Sequence, residues 1–91
     1  METVKEILDY MDGFRATGED GGVVIQDLKE LVHNKKEGLT ESRHELGERS
    51  HIEVLIYEND QYKFICVEDT EEEVSTGGTC YNGSVEVYRK S

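Results

Sequence analysis

The chain has 91 residues and a formal net charge of −11, from 21 acidic and ten basic side chains. This length supports one domain with a single modest core. The strong negative charge disfavours direct binding to nucleic acid or to an anionic membrane, because both would repel the protein. No apolar run approaches the roughly 20 residues of a membrane span, so we expect a soluble cytoplasmic protein.

The first segment predicts an amphipathic helix. Thr3 and Glu6 have the spacing of a capping box, in which two side chains satisfy free backbone donors at a helix start. Apolar residues then recur at helical spacing and form one stripe: Val4, Ile7, Leu8, Met11 and Phe14. Gly13 and the glycine-rich run 16–22 are expected to end this helix.

A second helix is predicted over residues 23–36. Its buried face would consist of Val24, Ile25, Leu28, Leu31 and Val32. Gly38 is the expected C′ residue, because glycine adopts the left-handed conformation that commonly ends a helix. Residues 40–47 are interpreted as a short third helical turn.

From Ser50 onward the apolar period changes from 3.6 to 2, which predicts strands. Residues 51–57 and 62–67 read as a β-hairpin around the turn residues 58–61. A second hairpin is predicted, with a short arm at 79–81, a type I′ turn at Asn82-Gly83 and a long arm at 84–88. Residues 69–78 between the hairpins would form an acidic loop or a single helical turn.

These elements predict a single α+β domain over residues 1–91. Its helical part would span residues 1–38 and contain two or three N-terminal helices. Its β part would span residues 50–91 and form a three- or four-stranded antiparallel sheet from the two hairpins, on which the helices pack.

The motifs of catalytic and metal sites are missing or incomplete. Residues 14–31 have a passing likeness to a calcium-binding loop, but Ala16 and Gly18 stand where its first two carboxylates are needed. The two cysteines and three histidines show no zinc-ligand spacing. Cys66 lies in an apolar strand pattern and Cys80 in an acidic neighbourhood, and both settings raise a thiol pKa. We therefore predict reduced thiols, no metal, no cofactor and no enzymatic activity.

The acidic residues carry the strongest functional signal. Residues 1–36 have a net charge of −3, whereas residues 37–91 have −8. Glutamates at positions 37, 41, 45 and 48 would share one face of a helix, with carboxylates about 6 Å apart along its axis. This pitch resembles the spacing of nucleic-acid phosphates. The predicted partner-binding residues are Glu37, Glu41, Glu45, Glu48, Glu53, Glu58, Asp60, Glu68, Asp69, Glu71, Glu72 and Glu73.

In size, acidity and lack of a catalytic motif, the chain resembles the general class of small phage-encoded inhibitors that mimic DNA. The resemblance rests on these physical properties and not on an alignable motif. It implies a stoichiometric inhibitor, acting in the host cytoplasm, of a basic nucleic-acid-binding protein such as a histone-like protein, a nuclease, or a restriction or DNA-repair enzyme.

Two other interpretations stay open at this point. The chain could be an acidic protein–protein interaction module, or a small complex subunit, whose charge only keeps it in solution. Halophilic adaptation would also explain the acidity. Homodimerisation is compatible with each of these interpretations.

Overall fold

The computed structural model describes residues 2–11, 13–45, 52–69 and 83–90. These residues form two helices and five strands, in the order α1 (Val4–Tyr10), β1 (Arg15–Ala16), α2 (Gly18–His33), β2 (Thr40–Glu45), β3 (Ile52–Glu58), β4 (Tyr62–Asp69) and β5 (Gly83–Arg89). The strands make one antiparallel sheet in the order β1-β5-β4-β3-β2. The α+β class is therefore confirmed, with five strands in place of three or four. Of the two described helices, neither is long and apolar enough to cross a membrane.

The hydrophobic core lies between the helices and one face of the sheet. The sheet contributes every second residue of its three central strands, each at most 4% exposed: Leu55, Tyr57, Phe64, Cys66, Val85 and Val87. The helices contribute Val4, Ile7, Val24, Ile25, Leu28 and Leu31. The periods of 2 and 3.6 in the sequence therefore identify these core residues, whereas Leu8 and Val32, also predicted on the buried faces, are partly buried. The strand residues of opposite parity form a second face, which we call the open face.

Helix α1 starts at the predicted cap. The Thr3 hydroxyl accepts a hydrogen bond from the Glu6 backbone N–H at 3.1 Å. The Glu6 carboxylate accepts from the Glu2 N–H at 3.5 Å and not from that of Thr3, so only one half of the capping box forms.

The apolar stripe of α1 ends before Phe14, where the sequence pattern had extended it. Met11 already has an extended backbone as the C-cap, and Gly13 has a φ of 72°. Gly13 turns the chain toward the sheet, where the Phe14 carbonyl accepts from the Val87 N–H at 3.0 Å. The Phe14 side chain is 74% exposed.

Helix α2 begins at Gly18, five residues before the predicted start, and it includes two buried glycines, Gly21 and Gly22. Glycine normally weakens a helix, which is why the pattern assigned this run to a turn. The reason for glycine here is contact: a Cβ on Gly21 would overlap the carbonyl group of Gly83, with the carbonyl carbon at 2.7 Å. A Cβ on Gly83 would lie 2.5 Å from Ile25 Cδ1 and 2.9 Å from the Val67 carbonyl oxygen. The helical course of residues 18–31 also rules out the calcium-loop geometry.

Helix α2 ends in a Schellman motif, and not at Gly38 as predicted. The Lys36 N–H donates to the Leu31 carbonyl at 2.9 Å, and the Lys35 N–H donates to the Val32 carbonyl at 3.1 Å. Lys35 occupies the left-handed C′ position with a φ of 55°. A lysine therefore adopts the conformation for which glycine was expected.

The short third helix expected at residues 40–47 is wrong, because residues 40–45 form strand β2, paired from Thr40↔Glu58 to Glu45↔Glu53. No residue of β2 is apolar. The sequence therefore has no apolar periodicity here that could distinguish a helix from a strand. Pairing with β3 decides the conformation.

The first predicted hairpin is confirmed as β3 and β4. For the second, the long arm at 84–88 is confirmed as part of β5, whereas the type I′ turn is wrong. Gly83 is a strand residue paired with Glu68, and its φ is not positive, so it does not occupy a type I′ turn. Val85 and Glu86 pair with β4 on one side and with β1 on the other. The predicted short arm at 79–81 and Asn82 lie outside the described residues.

The contact between the two glycines gives the first test. We expect Gly21→Ala and Gly83→Ala each to destabilise the fold by about 2 kcal/mol or more, because the new methyl group must displace backbone or a packed side chain. Ser84→Ala, one residue along β5, is the matched control and should stay within about 0.5 kcal/mol of wild type. Urea denaturation measures the stability of all three variants. Midpoints equal to that of wild type for the two glycine variants would contradict the close packing of α2 against β5.

The end of α2 gives a second test. Lys35→Gly should stabilise the protein by about 0.5–1 kcal/mol, because relief of a left-handed φ (about 1–2 kcal/mol) exceeds the added entropy of the unfolded chain. Lys36→Gly, next to it and without a positive φ, should destabilise instead. Thermal melts of the two variants should therefore move in opposite directions, and a shared direction would argue against the motif.

Candidate partner-binding surfaces

One end of the sheet collects acidic residues from three neighbouring strands. Glu45, Glu53 and Glu68 are register partners across β2, β3 and β4, and Asp69 follows Glu68. Neighbouring strands are about 4.8 Å apart, so acidic residues follow each other across the sheet at close intervals. We call these four residues the acidic end.

Glu68 is held within the fold by Lys29 of α2. The Lys29 Nζ lies 3.1 and 3.4 Å from the two Glu68 carboxylate oxygens. The Glu68 side chain is only 11% exposed, and a carboxylate so buried needs a partner. Glu68 therefore stabilises the contact between α2 and the sheet, whereas Glu53 at the next strand is half-buried.

The opposite end of the sheet, at the turn between β3 and β4, carries charges of both signs. Glu58 and Asp60 lie here together with Lys63, Arg89 and Lys90. Lys90 Nζ contacts the Glu58 carboxylate at 3.0 Å. This hydrogen bond and the Lys90 charge, with a smaller contribution from Lys63, lower the pKa of Glu58. The charge of the described sheet is therefore segregated along the strands.

Glu37 and Glu41 are engaged in the fold. The Glu37 carboxylate accepts from the Val4 N–H at 2.6 Å and so caps α1 from the turn after α2. The Glu41 carboxylate accepts from the Tyr57 hydroxyl at 2.7 Å and lies 3.6 Å from Arg43. Tyr57 is fully buried, and burial, followed by the bond to Glu41, raises its pKa.

The structure thus divides the predicted partner-binding residues into groups. Glu45, Glu53, Glu68 and Asp69 lie at the acidic end, about 17 Å along the strands from the turn between β3 and β4. A second group lies at or toward that turn: Glu37, Glu41, Glu58 and Asp60. Glu48, Glu71, Glu72 and Glu73 lie outside the described residues. The helical stripe is wrong, because Glu41 and Glu45 are on a strand and Glu37 is in a turn.

The sequence reasoning missed an aliphatic patch on the open face. Val54 pairs with Val67, Ile56 pairs with Ile65, and Ile52 lies beside them; we call these five residues the aliphatic patch. Val67 is 37% exposed, and the other four are half-buried. Four consecutive hydrophobic residues in each strand, 54–57 and 64–67, were the signal, since alternate residues face opposite sides of a sheet.

A paired charge borders the aliphatic patch on the β5 side, where Glu86 is the register partner of Ile65. Arg15 Nη2 and the Glu86 carboxylate are 3.1 Å apart, and the Tyr88 hydroxyl donates to the same carboxylate at 2.7 Å. An apolar centre with a polar rim is the anatomy of many protein–protein interfaces.

The described residues bring together no group of three or more His, Cys, Asp or Glu side chains that could hold a metal ion. Cys66 is a free, fully buried thiol. Burial, followed by the charge of Glu68, raises its pKa to about 12, as its apolar strand pattern indicated. A protonated, inaccessible thiol is a poor nucleophile.

Comparison of the chain with protein-family models, with curated proteins and with solved structures gave no match.

The raised pKa of Cys66 makes the stability depend on pH. The unfolded thiol titrates near pH 8.5 and the folded one near 12, so its contribution is complete below about pH 8.5 and is lost as pH rises toward 12. Between pH 8.5 and 10 this thiol alone should remove about 1–2 kcal/mol from the stability of wild type, in addition to the effect of tyrosines, which ionise near pH 10 in the unfolded chain. The free energy of unfolding, measured by urea denaturation at each pH, should fall less steeply with pH in Cys66→Ala than in wild type. Cys80→Ser is the control and should behave as wild type does. Equal pH dependence of Cys66→Ala and wild type would contradict the raised pKa of Cys66.

Proposed function

We propose that this protein is a non-catalytic, stoichiometric inhibitor that binds a basic nucleic-acid-binding protein through its acidic end, in the manner of a DNA mimic. The supporting observation is the segregation of charge along the strands. Acids from three strands follow each other at the acidic end, whereas Lys63, Arg89 and Lys90 lie at the opposite end.

The lysines and arginines of a DNA-binding groove favour phosphate and carboxylate for the same reason, a charge-assisted hydrogen bond. The proposed partners are those of this chemistry: a histone-like protein, a nuclease, or a restriction or DNA-repair enzyme.

Segregated charge would also orient the encounter. A protein with one acidic end approaches a basic groove with that end first, and such steering acts mainly on the association rate. Glu68 is not expected to contact the partner directly, since Lys29 already holds its carboxylate. Glu45 and Glu53 are the described residues that should matter most.

The aliphatic patch favours a second candidate, an interaction module that docks through its open face. Cross-strand pairs of valine and isoleucine on a face that neither described helix covers are typical of sheets covered by another protein. This mode depends on apolar burial and should resist salt, whereas charge mimicry should not.

The test is displacement of labelled duplex DNA from a panel of basic nucleic-acid-binding proteins. We expect displacement at about one-to-one stoichiometry, with no binding of the protein itself to DNA. Reversal of the acidic end, Glu45→Lys with Glu53→Lys, should slow association at least about tenfold. The matched control is Glu19→Lys with Glu30→Lys on the exposed side of α2, which makes the same change in net charge.

Salt and the open face separate the two candidates. Raising salt from about 0.05 to 0.5 M shortens the screening length from roughly 14 to 4 Å and should dissociate a mimic from its partner. Binding that survives high salt and is lost in Val54→Thr with Val67→Thr would favour the interaction module. Equal effects of the acidic-end and control reversals would reject mimicry.

A further inference from the structure

The outer edge of β2 is the least protected part of the described sheet. β2 is a terminal strand with β3 as its neighbour, and Thr40 to His44 are all exposed. No residue from Thr40 to His44 belongs to the hydrophobic core. An edge strand of this kind presents unpaired backbone groups to any chain that can match them.

The alternation of hydrogen-bonded and non-hydrogen-bonded pairs along the strands shows which backbone groups of β2 face outward. The Asn59 N–H donates to the Tyr62 carbonyl at 3.0 Å, which marks a hydrogen-bonded pair at the β3–β4 turn. Pairs alternate along antiparallel strands, so Tyr57 and Leu55 bond to β4, whereas Glu58, Ile56 and Val54 bond to β2. Their partners on β2 are Thr40, Ser42 and His44. The backbone N–H and C=O groups of Glu41 and Arg43 therefore point to the free edge.

We infer that this edge pairs with the same edge of a second copy, so that two sheets join into one across a two-fold axis. In an antiparallel pairing of two β2 edges, residues whose backbone groups point outward must lie opposite each other. Two registers meet this condition with five paired residues in each strand. One register opposes Glu41 to the partner's Arg43 and centres on Ser42. The other opposes Arg43 to the partner's Arg43 and Glu41 to the partner's Glu45.

Charge selects the first register. Opposite charges at directly opposed strand positions are favourable and like charges are unfavourable. In this register Glu41 and Arg43 form two symmetric pairs with the partner and exchange four backbone hydrogen bonds. The contact is short, so the dimer is reversible and depends on concentration.

The acidic ends of the two copies do not meet in this arrangement. Antiparallel pairing sends the acidic ends of the two copies in opposite directions, with Glu45 six residues, or about 20 Å, from the partner's Glu45 along the strands. That distance exceeds the screening length of about 8 Å at physiological salt. The two aliphatic patches lie on the same face of the joined sheet. This inference does not depend on the proposed function.

Sedimentation velocity across a concentration series tests the charge pairing. Wild type should dimerise, whereas Arg43→Glu and Glu41→Lys should each be monomeric, because each opposes like charges. Mixing the two variants should restore a heterodimer, since both cross pairs are then complementary. Lys5→Glu on the exposed side of α1 is the control for net charge and should still dimerise, and circular dichroism verifies that each variant folds.

Disulfide trapping tests the register independently. In a Cys80→Ser background, Ser42→Cys should form an intermolecular disulfide, because opposed Cα atoms of a non-hydrogen-bonded pair are about 4.5 Å apart. His44→Cys should not, since its counterpart is four residues away along the strand. Wild type that is monomeric at every concentration, or a dimer that Arg43→Glu leaves intact and Ser42→Cys does not trap, would overturn the inference.

Discussion

The close approach of α2 to β5 is the constraint on which the rest of this structure depends. Gly21 lies against the Gly83 carbonyl group, and Ile25 fills the space over Gly83. Lys29, one further turn along the same line of the helix, then reaches Glu68 on β4. A larger residue at either glycine would lift the helix from the sheet and weaken both the core packing and the only cation that the described residues offer to Glu68.

That ion pair also shows how the acidity is divided between stability and surface. Glu37 caps α1, Glu41 satisfies the buried Tyr57 hydroxyl, and Glu68 pairs with Lys29. Each of these carboxylates replaces water with a specific donor, which is how a polar group is tolerated in or beside a core. The acids that stay without such a structural role are therefore fewer than the composition implies, and in the described sheet they include Glu53 at the acidic end and Asp60 at the opposite end.

The sheet offers two kinds of association surface with different physics. The aliphatic patch and the acidic end would bind through side chains. The affinity of the patch would depend on the apolar area that it buries, and that of the acidic end on charge. The β2 edge acts through backbone groups. Its specificity comes from which residues point their N–H and C=O groups outward, and from the positions of the opposite charges of Glu41 and Arg43 along the strand. The patch lies on the open face, the acids at one end and β2 at one edge, and these surfaces meet where Glu45 ends β2 and Asp69 pairs with Ile52.

The sequence by itself determined the parts that depend on local pattern. Thr3 marked a helix start, and the apolar periods identified the core and the β3–β4 hairpin, since burial of one face fixes the period of each element. Tertiary structure alone decided the rest. Residues 40–45 have no apolar period and became a strand by pairing with β3; Gly83 became a strand residue because β4 and α2 meet it there. Which carboxylates are neutralised depends on donors distant in the chain, such as Val4, Tyr57 and Lys29, and no local pattern encodes such contacts.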